Sequence, residues 1–465
     1  MKRFAAQLCR TAVAALAIAL LLALQTASGL AQERGSRAQP YVVPQQLSLE
    51  TAVTIGLQGS TGMASLQARM DAARTAKRAS WFNLGPDLRV DASKTEQHRT
   101  DYDQVVGITP DSTYIYEDQS ELSTFRSVGA NSSVRLFDGF ANWAAISAAQ
   151  KDIEAHEYNY EYSATQVETG IVAAYYRLLQ SKLLLTVARE AEEVAREQLE
   201  RTQALYDLGS AARSDVLRSQ VNLGNQSLAL VQARNQVRQD YDGLVYAMNL
   251  FITTPFDIDT TLATIPAEEF DFLEQIEYAR QNRLDLKAMR AVEEASGSRV
   301  TVARGPLYPT FDVSYRYNFS KTSTAFTFGS GKTQTNAWSL STSWAVFDRY
   351  QTYSNISSAK ANRRIAEYNR QQVELDAVRE IRGYLNQLRE ARERLAVASE
   401  NVLRAEEDLR LAIEKFRVGA GTILDRITAE SDLTTTRSEE VTAVVDYLVA
   451  KANLFRATGR PLSEL

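Results

Sequence analysis

Phe311-Asp312-Val313-Ser314-Tyr315-Arg316-Tyr317-Asn318-Phe319-Ser320 alternates apolar and polar residues without a break. Period two is the mark of a strand with one apolar and one polar face. A second such stretch follows, in which Trp338, Leu340, Thr342, Trp344 and Val346 alternate with Ser339, Ser341, Ser343 and Ala345. A soluble sheet packed on a core would show the same pattern, but two details favour lipid on the apolar side and water on the other. Each segment is about 10 residues long, the length of a tilted membrane strand. Aromatics also gather toward the strand ends, where interfacial girdles sit, which marks Phe311, Tyr315, Tyr317, Phe319, Trp338 and Trp344 as membrane-facing. An earlier pair is weaker: Leu88, Val90 and Ala92 lead into a loop, Leu122, Val128, Ala130, Val134 and Leu136 follow it, and Arg126 interrupts the outward face. The polar stretches 98–120 and 321–335 between the paired segments read as hairpin tips exposed outside the cell.

Outward from these strands lie helices of unusual length. From Asn142 to Tyr206 there is no Pro, and Gly170 is the only Gly; at 1.5 Å per residue this stretch spans about 100 Å, wider than any globular core. Ile146, Ile153, Tyr160, Val167 and Ala174 recur every seven residues, and Ala164, Ile171, Leu178 and Leu185 form a second, offset stripe. Two seams suit a helix with a neighbour on each side, as in a helical tube. Val216, Leu223, Leu230, Val237, Leu244 and Phe251 continue the heptads in the next helix, and 350–416 and 423–455 are the later counterparts. Between the paired helices lie Leu208-Gly209-Ser210-Ala211-Ala212 and Val418-Gly419-Ala420-Gly421-Thr422. Gly just past a helix is a common C-terminal cap, Ser214 is placed to cap the next helix, and Asp215 suits its positive end.

The chain is duplicated. Phe137-Asp138 recurs as Phe347-Asp348, and at the same offset of 210 Tyr158-Asn159 matches Tyr368-Asn369, Asp215 matches Asp425 and Leu244 matches Leu454. Upstream, Gly85-Pro86-Asp87-Leu88 aligns with Tyr308-Pro309-Thr310-Phe311 at an offset of 223. The expected plan is a repeat at 32–250, with a strand hairpin at about 87–137 and a helical hairpin at about 139–250. A linker at 251–271 precedes a second repeat at 272–465, with hairpins at about 310–347 and 349–457. The fold class is mainly α with a small antiparallel β part.

Composition narrows the function. Of 465 residues 52 are Lys or Arg and 57 are Asp or Glu, a net charge of −5 that argues against a nucleic-acid partner. One Cys and two His leave no room for a Cys-rich zinc site, a disulfide framework or a Cys/His nucleophile pair. Met1-Lys2-Arg3 and Arg10 precede an apolar run from Thr11 to Leu24, then small residues up to Ala31. That run is short for a membrane span and fits a signal peptide at 1–31, with an uncleaved anchor as the alternative; cleavage would leave 49 basic against 57 acidic residues, a net of −8.

Open strand edges are not tolerated in lipid, so the strands must close into a barrel, and four are too few. Two chains would give eight strands around a filled interior; three would give twelve around a channel, over a twelve-helix tube. The residues leave dimer and trimer open, and a duct favours the trimer.

From about Leu47 to Leu462 the chain resembles the TolC-type outer-membrane efflux duct family. The resemblance is carried by Leu-Phe-Asp-Gly at 136–139, Phe-Asp at 347–348, and the turns Tyr206-Asp207-Leu208-Gly209 and Phe416-Arg417-Val418-Gly419, each with an Asp six residues after its Gly. Arg283-Leu284-Asp285-Leu286 resembles a family Arg-Pro-Asp-Leu element without its Pro. The resemblance implies an outer-membrane homotrimer whose helical tunnel crosses the periplasm. It implies passive conduction, in efflux or type I secretion, from an inner-membrane transporter joined by a periplasmic adaptor. The tips Leu208, Gly209, Ser210, Val418, Gly419 and Ala420 would dock the adaptor. In such ducts an Asp of the first hairpin contacts a Tyr before the second turn, and an Arg after that turn bonds back. Carried over, the Asp is Asp215, but the other two positions hold Phe416 and Gly421, so that lock is altered. Of two acids ringing the entrance Asp425 is present and the second position is Thr428, while Arg213 and Arg426 add positive charge.

The sequence offers little to an enzyme and implies no cofactor. Gly329-Ser330-Gly331-Lys332-Thr333 resembles the end of a phosphate-binding loop, but the first Gly of that pattern is replaced by Phe326 and a strand follows instead of a helix. His98 and His156 have no metal-ligand spacing. The competing interpretation is a trimeric coiled-coil structural or adhesin-like surface protein without transport, which explains the heptads but not the amphipathic strands.

Overall fold

The computed structural model describes residues 44–108, 110–111, 114–250, 255–260, 268–324 and 331–462; the leader at 1–31 lies outside them. In chain order the elements are β1 (Gln46–Leu47), α1 (Leu49–Gly59), α2 (Thr61–Phe82), β2 (Asp87–Ile108), β3 (Tyr114–Phe137), α3 (Ala141–Asp207) and α4 (Arg213–Ala247). Then come β4 (Asp257–Ile258), α5 (Phe272–Asn282), α6 (Leu284–Arg304), β5 (Thr310–Thr324), β6 (Gly331–Ser343), α7 (Gln351–Arg417) and α8 (Ile423–Thr458). No helix among the described residues is long and apolar enough to cross a membrane.

Helices α3 and α7 have 67 residues each, about 100 Å, and begin 210 residues apart. Their starts show what the repeated Phe-Asp pair does. Gly139 and Phe140 have φ of 69° and 66°, and Arg349 and Tyr350, 210 residues later, have 55° and 71°. This left-handed pair turns the chain from strand into helix, and the preceding Asp satisfies an orphan amide of the first turn. Asp138 Oδ2 accepts from the Asn142 amide at 2.9 Å, and Asp348 Oδ2 accepts from Thr352 at 2.7 Å. Arg349 tolerates the same conformation as Gly139, so positive φ alone does not explain the glycine. A Cβ on Gly139 would stand 2.6 Å from the Gly305 carbonyl oxygen.

The short helices run end to end in pairs. Ser60 closes α1 and caps α2, its hydroxyl accepting from the Met63 amide at 3.3 Å; Arg283 separates α5 from α6. The apolar core sits where these short helices meet the middle of the long ones. One cluster gathers Leu47, Ile55, Ile171, Leu178, Leu244 and Met248, and a second gathers Ala279, Ile381, Leu385, Tyr447 and Leu454. Arg283 ties this level together. It is 4% exposed, forks onto Asp285 at 2.9 and 2.8 Å, reaches Glu380 at 2.8 Å and donates to the Ala457 carbonyl at 2.8 Å. Burial works against its charge, but the bonds to Asp285 and Glu380 prevail and its pKa is raised. The Arg-x-Asp-Leu element is thus a clamp from the α5–α6 break onto α7 and α8.

The four long strands form one antiparallel sheet in the order β2-β3-β5-β6. They depart from the sequence expectation in length, at 22, 24, 15 and 13 residues. Much of the stretches 98–120 and 321–335, expected as tips, is paired strand. The alternation fades there because both faces turn polar, while the backbone ladder continues. The second hairpin, expected to about 347, ends at Ser343, so Trp344 and Val346 are not strand residues. Trp344 leaves the sheet and its Nε1 donates to the Leu307 carbonyl at 3.2 Å. Phe251, the last residue of the predicted heptad run, lies outside the described residues, and α4 ends at Ala247.

Candidate functional site

The sheet has two chemically distinct faces. Residues directly opposite one another in a ladder share a face, so register sorts them. Tyr315 faces Trp338 and Val313 faces Leu340; on the other side they meet Ser132 and Val134 of β3, which in turn faces Leu88 and Val90 of β2 through Ser132 and Ala130. That face is apolar and open: Trp338 is 76% exposed and packs its ring 4.7 Å from Tyr315. Phe311, Tyr317 and Phe319 alternate onto the same face. The opposite face carries a hydrogen-bonded polar chain across three strands. Arg316 Nε donates to Asn131 Oδ1 at 3.0 Å, and Asn131 Nδ2 donates to Asp91 Oδ1 at 3.1 Å. Arg135 pairs with Asp312 at 2.9 Å on the same face.

An exposed aromatic group surrounds the passage from sheet to helices. Trp81 stacks edge-on to Trp143 with centroids 6.0 Å apart, Tyr350 lies 4.5 Å from Tyr353, and Phe82, Phe140, Trp344 and Phe347 are exposed. Of this belt the sequence marked only Trp344, and that as a strand residue; the other members come from helix ends and junctions, which carry no strand alternation.

At the far end of the long helices the two turns have one geometry. Gly209 and Gly419 both have φ +76° with no atom within 4 Å of an added Cβ. The Ser210 amide donates to Leu205 O at 2.8 Å and the Ala420 amide to Lys415 O at 2.9 Å, closing each helix with a left-handed glycine cap. Leu208 and Val418 project there, 79% and 71% exposed.

The aspartates after the turns bond within their own helices. Asp425 Oδ2 accepts from the Thr422 amide and hydroxyl, both at 2.8 Å, while the Thr422 hydroxyl accepts from the Asp425 amide at 3.2 Å, a complete capping box. These bonds, first the backbone one and then the hydroxyl, hold the Asp425 carboxyl below its ordinary pKa, with Lys415 adding to them. Asp215 makes only the return bond, accepting from the Ala212 amide at 3.3 Å. The residue at the helix start is therefore Ala212, not Ser214 as the sequence suggested; Ala has no acceptor, and the bond from Asp215 supplies the cap.

The structure does not join Asp215 to Phe416 or Gly421: among the described residues no hydrogen bond or ion pair links it to the second hairpin. Thr428 and Arg213 are exposed, and their side chains make no hydrogen bond or ion pair among the described residues. Arg426 is 9% exposed and bonds to Glu430 on its own helix at 2.8 Å. Burial pushes the Glu430 pKa up, against the pull of Arg426.

Farther from the tip one ion pair does cross between hairpins. Arg437 of α8 meets Glu190 of α3 at 3.4 Å and Glu406 of α7 at 3.0 Å. Among the described residues the Glu190 contact is the one ion pair joining the α3–α4 hairpin to the α7–α8 hairpin. Glu190 and Arg437 also line a cavity of about 70 Å³, with Asn222 and Leu409 from the other two long helices. Nothing in the linear sequence pairs positions 190 and 437; only the seam between hairpins does.

Comparison with known proteins places the architecture. The family model for outer membrane efflux protein matches residues 56–250 and 275–460. Protein CyaE of Bordetella pertussis is 28% identical over 346 residues, covering 71% of this chain and 72% of that protein. Outer membrane protein TolC of Vibrio cholerae is 23% identical over 343 residues, covering 72% and 77%. The solved open state of the Neisseria gonorrhoeae MtrE outer membrane channel superposes with a TM-score of 0.70 at 16% identity, over 92% of this chain and 97% of that one.

Proposed function

This chain belongs to the outer membrane efflux protein family, and from that premise we propose that three copies close one barrel and one tunnel to form a passive duct. The duct runs from a periplasmic adaptor and its inner-membrane transporter to the cell exterior. The observation that carries this reading is the four-stranded sheet with an apolar face, a hydrogen-bonded polar face and free edges at β2 and β6. Free edges cannot remain in lipid. Eight strands would leave only room for side chains, and the Asp91–Asn131–Arg316 chain needs water; twelve strands leave a wet channel. From Phe311 to Phe319 the apolar face covers about 20 Å of height at the usual tilt, close to the lipid-facing band of outer-membrane barrels. The aromatic belt at the helix junction would then lie at the periplasmic surface of the membrane.

The two repeats, 32–250 and 272–465, would each supply two helical columns to a tube of twelve. The glycine turns would be its periplasmic tips. Leu208, Gly209, Ser210, Val418, Gly419 and Ala420 present apolar side chains and bare backbone to an adaptor there. Asp215 and Asp425 would act at the aperture as fixed negative charges held by their helix starts, with Thr428, Arg213, Phe416 and Gly421 nearby in sequence. Arg426, folded onto Glu430, would support the wall of the tip.

Electron microscopy of the detergent-extracted protein tests the assembly. Threefold hollow particles about 140 Å long are expected from the helix and barrel lengths. Isolated monomers, or a solid three-stranded rod, would remove the basis for a duct.

A further inference from the structure

We propose that the lipid-facing side of the barrel carries a row of basic residues that binds phosphate groups of an anionic glycolipid in the outer leaflet. The proposal rests on the membrane placement above. Lys94 lies directly opposite Arg126, Arg126 opposite Lys321, and Lys321 opposite Lys332, so one cross-strand row of the sheet is basic in all four strands. The next row toward the helices is Ala92, Val128, Phe319 and Gln334, and it shares their face. The basic row therefore begins where the apolar band ends, on the side away from the helices.

Like charges directly opposite in a sheet repel and destabilise the pair. Lys94 is relieved by Glu96 at 2.6 Å. Arg126, Lys321 and Lys332 have no ion pair among the described residues. Nor does the row line the channel: the adjacent row on the polar face is Ser93, Ser127, Ser320 and Thr333, without a charge, and Ser93 bonds to Ser127 at 2.8 Å. At this height of the sheet, positive charge lies on the side that meets lipid; Arg316 and Arg135 of the polar face sit nearer the helices and are bonded to Asn131 and Asp312.

Three strand spacings give the row a width of about 14 Å, enough to face more than one headgroup phosphate. Lys stems can lie along the apolar band while their ammonium groups reach the interface, and the Arg126 fork can take a phosphate through two oxygens. A divalent cation would not suit such a row, and a neutral headgroup would leave the repulsion in place. In a three-chain barrel the row recurs three times around the outer rim.

Native mass spectrometry of the purified trimer, titrated with lipid A carrying both phosphates or with the same lipid dephosphorylated, tests the proposal. The parent should retain the phosphorylated lipid preferentially, and higher salt should weaken retention. Arg126→Gln with Lys321→Gln should weaken binding about 10- to 30-fold, at roughly fivefold per basic residue, with no change toward the dephosphorylated lipid. Lys332→Gln, on the exposed strand β6, gives a milder version should the double variant fail to assemble. Equal retention of both lipids by the parent, or equal retention by parent and variants, would overturn the proposal. Displacement by millimolar inorganic phosphate would assign the row to free anions instead. If the parent formed no trimer or channel, the membrane placement itself would fall, which is a separate result.

Discussion

Replacing Arg437 by Gln removes the ion pair that joins the two helical hairpins of one chain. Arg437, Glu190 and Glu406 have side chains 40%, 58% and 45% exposed, so these are surface pairs. Each is worth about 0.2–1 kcal/mol. The Glu190 contact occurs three times in a trimer, so losing all three in a concerted opening shifts the balance by about 0.6–3 kcal/mol, or roughly 3- to 150-fold. The pair sits about 27 Å above the Gly419 turn, counted along the helix, leaving the tip below it free to splay. Single-channel recording gives the open probability directly. Arg437→Gln and Glu190→Gln should each raise it, their effects should not add, and Arg437→Lys should restore part of the closure. High salt should move the parent toward the variants, because exposed pairs are screened. An intact Arg437→Gln trimer with the parent's open probability at low salt would refute the reasoning.

Other perturbations have distinct signatures. Arg283→Met strips Asp285, Glu380 and the Ala457 carbonyl of a buried partner and should cost about 3–5 kcal/mol, read as a lowered thermal midpoint. Gly139→Ala, whose Cβ would meet the Gly305 carbonyl at 2.6 Å, should disturb assembly more than Gly209→Ala, which meets no atom and adds only left-handed strain of about 1–2 kcal/mol; trimer yield and melting compare them. The Asp425 pKa is depressed below 3.8 in the folded chain, so its stabilising bonds are fully present above 3.8 and lost as pH falls through the folded value. Asp425→Ala should therefore speed amide exchange at 422–426 at pH 7 and have no effect well below that value. Phe416→Tyr with Gly421→Arg should lower basal conductance by supplying a hydroxyl and a guanidinium at the tip. The new Cβ at 421 stands 3.0 Å from Lys415 Cβ, so the turn must give slightly, and unchanged conductance would place the closing contacts elsewhere.

The long helices were legible because nothing breaks them between Asn142 and Tyr206, and their turns because Gly209 and Gly419 stand at equivalent places in a duplicated chain. Strand length was not legible. His98-Arg99-Thr100-Asp101 reads as loop by composition, yet each residue is paired, since a ladder needs backbone and not an apolar face. Trp344 misled in the opposite direction: the alternation runs on through Trp344 and Val346 after the sheet has ended at Ser343. Asp215 and Asp425 were legible as acids just past the two turns, but their bonds to Ala212 and Thr422, which make them helix caps, were only partly so. The Arg437 contact and the Lys94–Arg126–Lys321–Lys332 row depend on which helix and which register face each other, information that no single stretch contains.

The duct itself is tested most directly by adding the purified parent protein to a planar lipid bilayer and recording current. Discrete, uniform conductance steps are expected, since a twelve-stranded barrel lined by Asp91, Asn131 and Arg316 encloses water. Protein that inserts into the bilayer yet passes no current in any step, even when the Arg437→Gln variant is used to loosen the tip, would contradict it.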